Sequence, residues 1–534
     1  MSETSLAGTG ALVRLALRRD RVLLPVGILG ITVFAVGSAK ATLALYPTSA
    51  SLGTAVTEIF SSPAATAIYG PISDPSDPDA VAVVKTTMFG AVLLAIFGYA
   101  LVRRHTRSEE EDGRFELLAG GVLGRRAPLV AAVTLASAAV LATCALTWLG
   151  YSGIGMDRAG SFAAAAGWAA VGLAFVGITA VAAQVSSTAR SCAGICMGAL
   201  GLSFLLRAVT DSRPALPAWI GWISPVGWTS RAEAFGADRW WVALLGAAIL
   251  VVGVVVSFAL LERRDLGAGL VATRPGAAHA GPTLGSAQGL AWRLARSGVI
   301  GWAIGFAVGG LVVGSLAASA VDMIKDPTIA DLLRKMGGGE GLLVDVYVTT
   351  ELGFIAIIGA AYGITAIGRW RSEETHQHAE QILATATTRG RFAASHLAVA
   401  LLGTAALMLV LGLSLGLADA SAGGVAGGVG RALPAAAVRI PAIWVCVGVA
   451  TAALGWVPRW TAAVGWGSLV LFLVVGEFGG LLGLPGWVID LAPFTHVPRM
   501  PVEPFAWAPT VWLLLVAGAL LGAGVLGFRR RDVG

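Results

Sequence analysis

Lysine is nearly absent. The four are Lys40, Lys85, Lys325 and Lys335, and none follows a glycine. A phosphate-cradling loop of the form GxxxxGK[ST] needs that lysine, so this chain does not bind ATP in that manner by itself. HExxH, GxSxG and dinucleotide-binding fingerprints are missing too. Charge of either sign is scarce, at 13% of 534 residues, whereas a soluble protein carries about a quarter. Such a composition excludes a water-soluble globular enzyme, a disordered chain and a nucleic-acid-binding protein. Cysteine is limited to Cys144, Cys192, Cys196 and Cys446, all inside apolar stretches. Cys192 and Cys196 lie one helical turn apart, but no histidine or carboxylate accompanies them. They read as small buried hydrophobes, and there is no disulfide framework.

What is abundant is apolar. Hydrophobic residues make up 56% of the chain, and the mean hydropathy is +0.79. A membrane helix needs roughly 20 apolar residues to cross about 30 Å of hydrocarbon. Such runs occur near 22–43, 82–102, 128–150, 162–184, 192–210 and 241–261 in the first half. The second half has them near 299–321, 347–368, 392–415, 437–456, 461–480 and 509–528. The expectation is an all-α polytopic membrane protein with about 12 transmembrane helices. Ala39-Lys40-Ala41 fits a signal-peptidase site. The same basic-then-apolar pattern recurs at 290–321, where it cannot be a signal, so the first span reads as a retained anchor.

Arginine sets the orientation. With both termini cytoplasmic, the inside segments carry 24 of the 37 basic residues. That bias predicts N-in, C-in and an even number of spans.

The chain also repeats itself. Arg107–Glu110 (RSEE) matches Arg371–Glu374, and without a gap Glu116 falls on Glu380 and Arg125 on Arg389, an offset of 264. LPAW at Leu216–Trp219 matches LPGW at Leu484–Trp487, and RRDLG at Arg263–Gly267 matches RRDVG at Arg530–Gly534. Six spans per half make these parallel six-helix repeats, related by an axis along the membrane normal. The boundaries expected are 1–264 for the first half, 265–288 for a cytoplasmic linker rich in Gly, Ala and Pro, and 289–534 for the second half. Each half opens with a basic segment, 11–21 and 290–298. Arg14, Arg18 and Arg21 share one helical face, which suits an amphipathic elbow helix lying in the membrane interface.

A charged loop follows the second span of each half, at 103–127 and 369–391. Ser108 and Ser372 are placed to cap short helices, with acidic residues in the first turn. Three readings compete. A solvated loop is the plainest. A catalytic carboxylate cluster lacks a nucleophile or metal partner, because His376 and His378 occur in one copy only. A docking helix for a cytoplasmic partner is favoured by the duplication, since a paired partner needs two.

These features together resemble the ABC-2-type permeases of polyketide-antibiotic (tetronasin-type) exporters of actinobacteria. The residues that carry the likeness are RSEE followed by ELL, SPVGW at Ser224–Trp228 and RRDLGAGL at 263–270, in a fused two-half chain. The resemblance covers essentially the whole chain. It implies a permease subunit that exports amphiphilic small molecules across the bacterial plasma membrane by alternating access. It further implies a separate P-loop ABC ATPase, two copies per permease chain. ATP and Mg belong to that partner; this chain binds no cofactor, metal or nucleic acid. The loops then become coupling helices, and the docking candidates are Arg107, Glu109, Glu110 and Glu116 with Arg371, Glu373, Glu374 and Glu380. The second half departs from the pattern, with Ala492-Pro493-Phe494 in place of SPVGW and ETHQHAEQI in place of EEDGRFEL. The two docking surfaces are therefore not expected to be equivalent.

Ionisable residues within spans cost roughly 2.5–3.5 kcal/mol at the bilayer centre. Lys85 and Glu351, and Arg207 and Glu477, are therefore candidates for the substrate path, with snorkelling to the surface as the plainer reading. Spans two and five line the path in related exporters, which adds Phe89, Phe97, Phe204, Phe354 and Phe472. Phe204 and Phe472 are repeat-equivalent and suit a gate; ordinary packing is the alternative. The external segments 211–240 and 481–508 carry clustered Pro and Trp and read as re-entrant or interfacial caps, or as an aromatic belt. The rival class is an ion-coupled secondary transporter with two six-helix halves. It would need a coupling carboxylate deep in a span and a GxxxDRxGR[RK] loop, and neither is evident.

Overall fold

The computed structural model describes residues 6–45, 66–67, 69–113, 123–212, 216–217, 219–265, 267–271, 278–324, 340–424, 426–478 and 485–532. Glu116 and most of the external segment 44–81 lie outside the described residues. Helices dominate, and no strand occurs among the described residues. Twelve helices among them are long and apolar enough to cross a membrane. Closing every backbone hydrogen bond within one segment makes the helix the natural spanning element in lipid. The protein is a multi-pass all-α membrane protein. Its chain folds as two compact units, Met1–Pro275 and Gly276–Gly534.

The first unit begins with α1 (Thr9–Arg19) and α2 (Leu23–Leu45). The chain breaks between them at Asp20, whose buried carboxylate accepts from Arg104 Nε (2.9 Å) and pairs with His105 Nε2 (2.5 Å). Next come α3 (Pro78–Arg104) and the single turn α4 (Arg107–Glu111). They are followed by α5 (Ala127–Gly153), α6 (Arg158–Val185) and α7 (Ala189–Ser212). The short helices α8 (Trp219–Trp222) and α9 (Trp228–Arg231) precede the last span, α10 (Ala243–Glu262). Capping fixes several starts. Asp77 accepts from the Asp79 amide with Pro78 at the first helical position, and Asp157 accepts from the Gly160 amide.

Helix α6 is the centre of this unit, 83% buried over its most apolar window. It packs against α3, α5 and α10. It is rich in Ala and Gly, which lets backbones approach closely. A Cβ at Gly253 would lie 2.6 Å from the Gly177 carbonyl oxygen, and one at Gly177 would lie 2.7 Å from that of Ile249. The outward faces carry large apolar side chains such as Leu202, Val251 and Val255, as a lipid-facing surface requires.

The second unit holds α11 (Ala287–Ile324), α12 (Glu340–Thr375), α13 (His378–Leu383) and α14 (Arg389–Ser421). It continues with α15 (Gly428–Ala437), α16 (Ile440–Trp456), α17 (Thr461–Phe478), α18 (Gly486–Ile489) and α19 (Trp507–Arg530). Here α16 packs against α19 and α12, and α11 against α14. The fourth and last spans again meet through glycines, Gly455 against Gly524.

Two local expectations are corrected. The segment 290–298 is no separate elbow: it runs unbroken into the span as part of α11. By alignment of Arg14 with Arg293, the position of Asp20 is taken by Val299, which gives the chain nothing to break on. Ser108 and Ser372 also start no helix. Ser108 sits inside α4, whose cap is Thr106 without a side-chain bond, and Ser372 lies in the last turns of α12. The helix expected at Ser372 begins instead at His378, after Gln377 in a left-handed conformation (φ 62°).

Candidate functional site

The charged loops are built around carboxylates that face inward. In the first unit Glu110 is clasped by two arginines. Arg264 donates to it as a fork, Nη1 to Oε2 at 2.9 Å and Nη2 to Oε1 at 2.6 Å. Arg107 reaches the same carboxylate from within α4. All three side chains are at most 9% exposed. The fork geometry suits planar carboxylate recognition and is the stronger form of the pair. Around it, Arg264 Nε donates to Gln184 Oε1 (2.8 Å), and Arg107 and Arg264 both donate to the Ala268 carbonyl at 2.8 Å. Arg125 Nη2 then ties the end of α10 by donating to the carbonyls of Leu261 (2.8 Å) and Arg264 (2.7 Å).

The second unit repeats the arrangement with its own residues. Glu374 Oε2 accepts from Arg371 Nη1 (2.9 Å) and from Arg531 Nη2 (2.6 Å). Arg389 Nη1 donates to the carbonyls of Arg529 (3.2 Å) and Arg531 (2.7 Å). Every one of these residues is the repeat-equivalent of its counterpart: 107 and 371, 110 and 374, 125 and 389, 264 and 531. The surroundings differ. Here the support is aromatic: Trp370 meets Phe528 edge-on at 5.0 Å, and the Arg531 guanidinium stands 5.4 Å from the Phe528 ring.

Of the proposed docking side chains, Arg107, Glu110 and Glu374 are therefore turned into the protein and paired within their own unit. Glu109 pairs with Arg19 of α1. Arg371 is about one-third exposed beside Glu374. Glu380 is exposed, and Glu373 bonds to His378 Nδ1 at 3.1 Å on the surface. Glu111 and Asp112 are exposed beside them in sequence. Arg264 and Arg531 received no role from the sequence, although RRDLG and RRDVG had been matched. Opposite charges repeated at both partners, Glu110 with Glu374 and Arg264 with Arg531, were the signal available.

At the other end of the first unit, Arg207 is fully buried on α7. It donates to the carbonyls of Thr66 (3.2 Å) and Ala67, lies 3.7 Å from Asp211, and covers the Phe204 ring at 4.8 Å. Arg231 also reaches Asp211, at 3.1 Å. Beside them is a cavity of about 450 Å³, lined by Asp211, Trp222, Ser230, Arg231, Glu233 and Arg239. Its charged groups are paired: Arg239 bonds Glu233 at 2.8 Å. A second cavity of about 520 Å³ is wholly apolar and lies between α6, α10 and Ile195 of α7.

The remaining path candidates are spread out. Lys85 and Phe89 are exposed on α3, with Phe89 edge-on to Tyr69 at 6.1 Å. Phe97 is buried, packed into the notch at Gly27 of α2. Phe354 is exposed and Glu351 half-buried on α12. Phe472 is half-buried on α17, and Glu477 lies in the last turn of that helix. Trp219 and Trp487 are exposed on the short helices α8 and α18. The structure brings Phe204 and Arg207 into contact. A buried cation missed by the sequence reading is Arg439, whose Nη2 donates to the Thr349 carbonyl at 2.7 Å.

Twelve apolar helices among the described residues, in two compact units, define a polytopic all-α membrane protein. Residues 284–529 match the family model described as multidrug efflux system permease Rv1217c, C-terminal domain. Over 529 residues the chain is 39% identical to the multidrug efflux system permease protein Rv1217c of Mycobacterium tuberculosis (strain ATCC 25618 / H37Rv), covering 98% of this chain and 95% of that one. The chain belongs to the family of that permease.

Proposed function

We propose that this chain is the membrane-spanning subunit of an ATP-driven ABC exporter of the ABC-2, tetronasin-like type. It moves amphiphilic drugs or polyketide-type antibiotics out of a bacterial cell, with both termini in the cytoplasm. A separate P-loop ATPase, in two copies, binds the charged ends of the two halves and drives alternating access. The relative's description as a multidrug efflux permease supports the export direction. The observation that carries the ATPase reading is the pair of duplicated charged loops in a chain without a phosphate-binding lysine motif. The contact surface is formed by the side chains still exposed, Glu111 and Asp112 in the first half and Glu380 in the second, with the partly exposed Glu373 and Arg371 at its edge.

Co-expression with a P-loop ATPase tests this. The unaltered chain should retain the ATPase through purification, and Glu111→Lys and Asp112→Lys combined with Glu373→Lys and Glu380→Lys should release it while the permease stays folded. Undiminished capture would refute this docking surface. The ion-coupled reading rests on Glu351, half-buried in a span. It predicts that Glu351→Gln and a protonophore each abolish export without any ATPase present.

A further inference from the structure

Two pairs of segments that are far apart in sequence are locked by the same chemistry. Glu110 and Arg264 are 154 residues apart, and Glu374 and Arg531 are 157 apart. In the first unit Glu110 lies just beyond the helix of the second span, in the second Glu374 lies in the last turn of that helix, and in both the arginine lies at the end of the last span. In each unit a further arginine, Arg125 or Arg389, fastens the backbone carbonyl of the same RRD arginine. A buried ion pair is poor evidence of stability, because well-packed apolar residues of similar size are often as stable. What a fork-shaped pair does supply is a fixed relative geometry. A carboxylate–arginine pair at equivalent positions in both halves, forked in the first and through one carboxylate oxygen in the second, points to a task that both halves share.

The first unit shows what that task requires. Helix α4 is a single turn of five residues, separated from α3 by His105 and Thr106. A turn that short has no rigidity of its own to pass a push into the bundle. It is held to the bundle by the Arg107–Glu110–Arg264 cluster with its bonds to Gln184, Ser186 and Ala268, and at its rim by Arg19 on Glu109 and the Ala189 amide on Glu111 (2.9 Å). In the second unit the corresponding residues stay on α12, and the edge-on contact of Trp370 with Phe528 supplements one carboxylate oxygen.

We propose that Glu110–Arg264 and Glu374–Arg531 are transmission latches. They make the loop after the second span and the last span of each half move as one body, so that ATPase motion at the loop reaches the last span. The inference rests on the ATP-driven reading above. The four residues are positioning residues; none needs to touch ATP or the exported compound. Cutting a latch leaves the ATPase bound and hydrolysing but uncouples it from the spans.

The experiment uses the full complex in lipid nanodiscs, with rhodamine 6G as the amphiphilic probe. The readouts are ATPase bound per permease, basal hydrolysis, and the ratio of probe-stimulated to basal hydrolysis. Variants are Glu110→Gln, Arg264→Gln, the double, and the corresponding set at Glu374 and Arg531. Arg531→Gln keeps the test open if the deeper site does not tolerate change, since Arg531 is 19% exposed at a helix end. ATPase capture and basal hydrolysis should persist, while the stimulation ratio collapses by about tenfold, within the range of ordinary coupling between sites. Each double variant should be no worse than its singles, because both act through one contact. Arg264→Lys should recover part of the ratio, keeping the charge without the fork. An unchanged ratio in assembled complexes, or losses that multiply between Glu110 and Arg264, overturns the latch. Failure of the unaltered chain to capture any ATPase overturns the ATP-driven reading, and the latch with it.

Discussion

Arg207 is fully buried, so its charge depends on what the protein supplies. Asp211 supplies a counter-charge, and the carbonyls of Thr66 and Ala67 accept its protons. Removing the cation strands those acceptors in a buried site. Arg207→Leu should therefore destabilise the folded protein by about 3–5 kcal/mol, seen as a lowered unfolding midpoint in detergent. Arg231→Gln should lower it far less, because Asp211 keeps Arg207. Equal effects would contradict this account of the cluster. The sequence located Arg207 as an ionisable residue within a span, which the cost of charge in lipid makes conspicuous. Its partners were not equally legible. Asp211, one turn further along the same helix, was within reach of a spacing argument, whereas Thr66 is joined to Arg207 only by tertiary folding.

At the scale of elements, close approach depends on the absence of side chains. The α6–α10 contact has glycine on both sides, with Gly253 and Gly177 each facing backbone. Gly253→Val forces a side chain into a carbonyl and should cost about 1–3 kcal/mol, the usual range for overpacking. Gly194→Val meets open space and should change little beyond helix propensity. Thermal unfolding of the two variants in the same detergent compares them, and a larger loss for Gly194→Val would contradict the packing. Hydropathy placed all twelve apolar runs, because lipid leaves helices no other way to satisfy their backbones. It could not show that α1 is separate from α2 while 290–298 merges into α11. That difference turns on one side chain, Asp20, held by Arg104 and His105 from 84 and 85 residues away. The acidic runs were legible as repeated elements, but not which carboxylate of each run faces inward. Glu110 and Glu374 were grouped with their exposed neighbours because the sequence shows spacing and not the arginines from the far end of each half.

At the scale of the whole molecule, 24 basic residues fall on the segments assigned to one side. The positive-inside bias predicts that both termini lie there. Single cysteines introduced at Arg14 and Arg529 should be protected from an impermeant maleimide in intact cells and labelled after permeabilisation, whereas one at Trp219 should be labelled in both. Labelling of the terminal sites in intact cells would reverse the topology. In the proposed function a bound ATPase drives this permease. Proteoliposomes holding the chain with a P-loop ATPase test it most directly, by following rhodamine 6G across the membrane. The account predicts movement that requires ATP, the ATPase and this chain together, and that persists when a protonophore collapses any proton gradient. Movement by this chain alone, driven by a proton gradient and indifferent to ATP, would contradict it.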